Sequence, residues 1–151
     1  MTSILSSVVV DSRDPAALAR FWSAALGYAV LEADEEGVTI GPADGSWPVI
    51  DFVPVPEPKT VKNRLHLDLR ADDGDQASEV ARLEALGARR ADVGQGPEVS
   101  WVVLADPEGN EFCVLRLSAA EARAEIAAVT GAGTSPGGGA GAGAQPSTPS
   151  T

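Results

Sequence analysis

The sequence predicts an α+β protein in which two βαβββ modules pair into one curved mixed sheet around a cleft. Three observations carry that expectation. Residues Leu65 to Arg70 alternate strictly between apolar and polar, the period of a half-buried strand, and a helical pattern ending at Leu86-Gly87 follows. Near the N-terminus an apolar strand, Ser7 to Val10, leads through Asp14-Pro15 into a helical pattern ending at Leu26-Gly27. The step from Ser7 to Asp14 and the step from His66 to Asp73 are both seven residues, so one unit runs twice.

Taken in order, the first module (3–57) opens with a strand near Ile4 to Asp11. Asp14 can cap the following helix and Pro15 suits its first position. Leu18, Phe21, Trp22, Ala25 and Leu26 recur at three- and four-residue spacing and form its buried stripe, and Gly27 stops it. Strands are expected near Tyr28–Ala33, Gly37–Gly41 and Pro48–Val53, parted by Asp/Glu/Gly and Asp44-Gly45 turns. The Pro-rich residues 54–58, with Lys59 to Asn63, cross to the second module (64–117).

The second module repeats the order. Arg64–Arg70 reads as a strand and Asp75–Leu86 as a helix with Val80, Leu83 and Leu86 inward. Strands follow near Arg89–Val93, Val99–Ala105 and Glu111–Leu117, the last two joined by the turn residues Asp106-Pro107-Glu108-Gly109-Asn110. A final helix over 118–130 opens with Ser118-Ala-Ala-Glu121, a capping-box spacing. The tail over 131–151 is Gly, Ala, Ser, Thr and Pro with no large apolar residue, and is expected to be disordered.

Composition narrows the partners. The chain has 151 residues and a formal charge of −11, with Lys59 and Lys62 as its only lysines. A surface that tracks phosphates needs the opposite sign, which argues against nucleic acid and against anionic membranes. A single cysteine, Cys113, excludes an intrachain disulfide and a multi-cysteine zinc pattern. No basic leader and no apolar run of membrane-spanning length is present, which points to a cytoplasmic protein.

A helix covers only one face of each small sheet, so the other faces would form a concave surface. With Leu65, Leu67 and Leu69 toward the helices, His66, Asp68 and Arg70 face the concavity. In the last strand Phe112 and Val114 point to the helices, leaving Glu111, Cys113 and Leu115 facing in. The module repeat sets Ser7 at the position of His66 and Asp51 at that of Cys113. Trp47, in a turn, and Trp101, in a strand, are candidates to line an apolar pocket, with Arg70 beside them. Gly94-Gln95-Gly96-Pro97 lacks the lysine and helix of a phosphate loop and reads as a pocket rim.

The elements Asp14-Pro15 through Phe21-Trp22 to Leu26-Gly27, the His66–Asp73 spacing and Asp106-Pro107-Glu108-Gly109-Asn110 together resemble the vicinal oxygen chelate superfamily. That superfamily holds glyoxalases, extradiol dioxygenases and bleomycin-resistance-type binding proteins. The run Lys62 to Asp68 with Asp106 to Cys113 resembles its glyoxalase-like domain subgroup. The resemblance implies the paired βαβββ fold and a homodimer. Its metal-dependent members hold one divalent ion with four side chains, usually His, Gln or Glu, two from each module. The matching positions here are Ser7, Asp51, His66 and Cys113, of which only His66 keeps the family's residue type. The thiol, imidazole and carboxylate of this set suit zinc better than magnesium.

Two functions fit these residues. One is a glyoxalase-like protein that binds a small, cationic or aromatic molecule in the cleft between its two βαβββ modules, without the full usual metal-ligand set. The other is a divalent-metal-dependent lyase or isomerase of glyoxalase type, with His66 as metal anchor and Glu111 or Asp68 moving the proton.

Overall fold

A computed structural model of the chain describes residues 2–131. Its elements run β1 (Ser7–Ser12), α1 (Pro15–Leu26), β2 (Ala29–Ala33), β3 (Val38–Gly41), β4 (Val49–Pro54), β5 (Asp68–Leu69), α2 (Gln76–Leu86), β6 (Arg89–Arg90), β7 (Val102–Ala105), β8 (Glu111–Val114) and α3 (Ala119–Thr130). This is βαβββ twice, followed by one helix, the expected fold class. The tail expectation lies outside the described residues, apart from Gly131, which closes α3.

Each module builds its own four-stranded mixed sheet, in the order β1-β4-β3-β2 and β5-β8-β7-β6. The pairing is the same in both: first strand parallel to last, the others antiparallel. The register repeats as well. Val9 pairs with Asp51 and Asp68 with Cys113, so Ser7 and His66 each stand two residues before an equivalent pair.

The helix ends follow local chemistry. Asp14 and Asp75 accept from Ala17 N and Ser78 N, and Gly27 and Gly87 end their helices in the left-handed region that an L side chain disfavours. Ser118 and Glu121 form a complete capping box.

The core lies between the helices and the inner sheet faces. Leu18, Trp22, Ile40, Phe52, Leu83 and Phe112 are among its buried members. Phe112 of β8 reaches the other module and packs on α1, its ring 5.1 Å from that of Trp22 and 6.2 Å from that of Phe21. Arg82 of α2 bridges the helices, donating to Ala24 O at 3.1 Å and Ala25 O at 2.8 Å, where α1 leaves its last carbonyls free.

The strands of the second module are shorter than expected. The strand expected over 64–70 is only Asp68–Leu69, and Leu65 is 89% exposed instead of facing the helices. Parallel pairing continues back to the Cys113 N–H, which donates to Leu67 O. Beyond it the Glu111 carboxylate takes the Asn63 N–H, so no ladder holds Leu65 in alternation. Leu67 and Leu69 do pack against the core. The expected strands at 89–93 and 99–105 are likewise shortened, to Arg89–Arg90 and Val102–Ala105.

Candidate functional site

The concave face of the second sheet carries the chemistry. β5 and β8 run parallel, so their outward side chains stand beside each other. His66, just before β5, Asp68 within it and Cys113 on β8 each offer a ligand atom within 4.8 Å of the other two. His66 Nε2 lies 3.4 Å from Asp68 Oδ1, and both side chains are about half exposed. Cys113 is buried. Burial pushes its thiol pKa up, and the adjacent Asp68 charge and hydrogen bond push the same way, with Lys62 opposing. The thiol is therefore the protonated form near neutrality and no free nucleophile.

A cavity of about 450 Å³ opens over this group. Val93, Trp101, Val103 and Leu115 give it an apolar, aromatic side, while His66, Asp68 and Glu111 give it a polar one. Gly94 and Gln95 form part of the lining, and the Gln95 side chain folds back on its own loop, accepting from Val93 N and donating to Ala91 O.

Glu111 is tied down. Its carboxylate accepts from Lys59 Nζ at 2.8 Å and from Asn63 N at 3.1 Å. Burial raises its pKa, but these two partners outweigh burial and hold it below the ordinary carboxylate value. A base so engaged is a poor proton acceptor, which leaves Asp68 as the freer carboxylate of the cavity. The importance of Lys59 here was not readable from its surroundings in sequence, because the partner lies 52 residues away.

The first module does not join this group. Asp51 accepts from Thr39 Oγ1 at 2.7 Å within its own sheet, and neither it nor Ser7 lines the cavity. Arg70 turns away to donate to Leu117 O at 2.8 Å, and Trp47 stands 57% exposed outside the cavity. Of the expected pocket residues, Trp101 alone lines it.

The donor set that does converge is one imidazole, one carboxylate and one thiol. Those three types fit a tetrahedral zinc ion with its fourth position open, and fit magnesium poorly. Among the described residues no helix is long and apolar enough to cross a membrane.

Fold and site together define a protein of the vicinal oxygen chelate superfamily. The glyoxalase-like domain family matches residues 7–115, well over half of the chain, and the chain belongs to that family. No curated protein matches it. Solved structures share the fold at low identity. The antibiotic-binding protein TnmS3 from Streptomyces sp. CB03234 is 22% identical with a TM-score of 0.54, the match covering 78% of this chain and 98% of that one. The fosfomycin resistance protein FosX from Mesorhizobium loti is 16% identical with a TM-score of 0.60, covering 82% and 99%. The trypanothione-dependent glyoxalase I of Leishmania major is 15% identical with a TM-score of 0.60, covering 87% and 99%.

Proposed function

We propose that this glyoxalase-like protein binds a small aromatic or cationic molecule in the concavity of its second module. The observation that carries this reading is the pairing, in one cavity of about 450 Å³, of Trp101 with the carboxylate of Asp68. An indole face attracts both flat rings and cations, and the half-exposed Asp68 carboxylate in the same cavity favours positive charge. A cavity of this size accommodates a drug-sized ligand. The fold neighbour TnmS3, an antibiotic-binding protein, supports a binding role for such a cavity. The test is a thermal-shift and calorimetric screen of aromatic amines and neutral aromatics against the parent and Trp101→Ala. Binding that survives Trp101→Ala unchanged sinks the reading.

A second reading rests on the closeness of His66, Asp68 and Cys113. These three would hold a zinc ion, which when bound supplies a Lewis acid to polarise a ligand carbonyl or hydroxyl oxygen. In that case Trp101 and Val103 orient the ligand and shield it from water. Glu111, already bonded to Lys59 and Asn63, holds the floor of the cavity in place. Elemental analysis after exposure to mixed divalent ions separates the two readings.

A further inference from the structure

Besides its thiol, the cavity of the second module is lined by Lys62, His66, Asp68 and Glu111, and these groups are unevenly paired. Glu111 is occupied at both oxygens. Oε1 accepts from Lys59 Nζ at 2.8 Å, with the two side chains mostly buried, and Oε2 accepts from Asn63 N. His66 Nε2 stands 3.4 Å from Asp68 Oδ1. Lys62 is left over. Its ammonium reaches only the Asn63 carbonyl, at 3.3 Å, and among the described residues it forms no ion pair.

Lys62 and Asp68 nevertheless act on one point. Burial is the main cause raising the Cys113 pKa; after it, Asp68 pushes the same way and Lys62 pushes back. A cation and an anion thus face the same thiol without pairing with each other, beside the apolar side of Trp101, Val103 and Leu115. Held apart, each can take a counter-charge from a guest. A ligand that is only a cation satisfies Asp68 and is repelled by Lys62, and a ligand that is only an anion meets the reverse. One that carries both charges satisfies both, and discrimination against the other two follows from the repulsions.

We propose that the ligand of this cavity is an aromatic zwitterion of the amino-acid type, with Lys62 as the residue that selects it. The ammonium lies on Asp68, the carboxylate on Lys62 and the ring against Trp101. This rests on the binding function proposed above for the same cavity and narrows its ligand class. Lys59 has an indirect part: by holding Glu111 it keeps a second anion of the lining from capturing Lys62.

Three probes with one carbon skeleton separate the charges. The full chain is titrated calorimetrically with L-phenylalanine, with 2-phenylethylamine, which lacks the carboxylate, and with 3-phenylpropionate, which lacks the ammonium. Expected is a preference for phenylalanine over either by about fivefold, the upper worth of a half-exposed ion pair. Lys62→Met should bring phenylalanine down to the level of phenylethylamine, and Lys62→Arg should restore the preference. Lys62 is exposed and touches only its neighbour's carbonyl, so neither change disturbs the fold, which near-ultraviolet circular dichroism checks. Phenylalanine binding no tighter than phenylethylamine, or a preference unchanged in Lys62→Met, overturns the zwitterion. If phenylethylamine still binds and is lost in Trp101→Ala, the proposed function survives that result. No binding of any of the three also overturns the zwitterion, and the screen of neutral aromatics with Trp101→Ala then decides the broader reading separately.

Discussion

Trp22 Nε1 donates to Asp106 Oδ2 at 3.1 Å, joining helix α1 of the first module to the β7–β8 turn of the second. Both residues are almost wholly buried, at 4% and 1% exposure. The same carboxyl group organises its own turn. Oδ1 accepts from the backbone N–H groups of Glu108 and Asn110, and Oδ2 also accepts from Asn110 Nδ2. The turn run read in sequence is thus a structural joint, with Asp106 serving two modules at once.

All four donors point at the two carboxyl oxygens, so this side chain has no substitute. Asp106→Ala strands a buried indole N–H and the turn amides, at a cost of about 3–5 kcal/mol. Asp106→Asn is also expected to destabilise, because an amide nitrogen in either oxygen's place confronts two N–H groups. Urea unfolding of both variants measures this. A change below about 1 kcal/mol for the alanine variant would show that the joint does not hold the modules together.

Glu108, two residues on, makes a pH-dependent clamp. Its Oε1 accepts from Ser12 Oγ and Asp14 N, both at 2.8 Å, and Oε2 from Arg13 N at 3.0 Å. Burial raises its pKa, but these donors at the entrance of α1 outweigh burial and hold it below 4.5. A carboxylate whose folded pKa is depressed contributes stability that is complete above its unfolded value. That stability drains away as pH falls from 4.5 through the folded value. The parent should exceed Glu108→Gln by about 1 kcal/mol near neutrality, a figure reduced for partial exposure. The gap should close in acid. Denaturant midpoints across the acid range test it, and a gap independent of pH contradicts the clamp.

Much of this architecture was readable because local rules carried it. Asp14, Asp75 and Ser118 cap where short-range hydrogen bonding requires, and the repeated spacing carried the equivalence of Ser7 with His66 and of Asp51 with Cys113. What alternation could not show was where a strand stops. Leu65 obeys the period of two, yet a side-chain bond from Glu111 to Asn63 replaces the ladder that would have turned Leu65 inward. Equivalent register also did not mean convergence. Asp51 matches Cys113 in pairing, but the two sheets are separate, and Thr39 takes its carboxylate. Trp47 and Arg70 left the expected pocket for the same reason: their neighbours are set by chain crossings that no local pattern encodes.

The cavity of the second module yields a graded prediction. Trp101 is 42% exposed, so its replacement costs the fold little and the ligand much. Trp101→Ala should weaken a bound aromatic amine by about tenfold, the worth of roughly 1.4 kcal/mol of stacking and cation–π contact. Trp47→Ala, outside the cavity, should leave affinity within about twofold, since surface changes away from a site fall inside about 0.5 kcal/mol. Calorimetric titration of the three proteins checks the order. Equal losses at both positions would place the ligand elsewhere.

The donor group of His66, Asp68 and Cys113 permits the sharpest chemical test. Binding zinc there exchanges the Cys113 proton for the metal, and burial together with Asp68 makes that proton harder to lose. Affinity should therefore climb with pH through the neutral range and beyond it. Cobalt substitution reports the thiol directly, because a coordinated thiolate gives a charge-transfer absorption that imidazole and carboxylate do not. Expected is about one metal ion per chain, consistent with a single three-ligand site. It should be lost in Cys113→Ala and His66→Ala and retained in Asp51→Asn, whose carboxylate belongs to Thr39. Retention in Cys113→Ala together with loss in Asp51→Asn would reverse the assignment and return the ligand set to both modules. A chain that holds no metal at any pH leaves the cavity to Trp101 and Asp68 as a plain binding site.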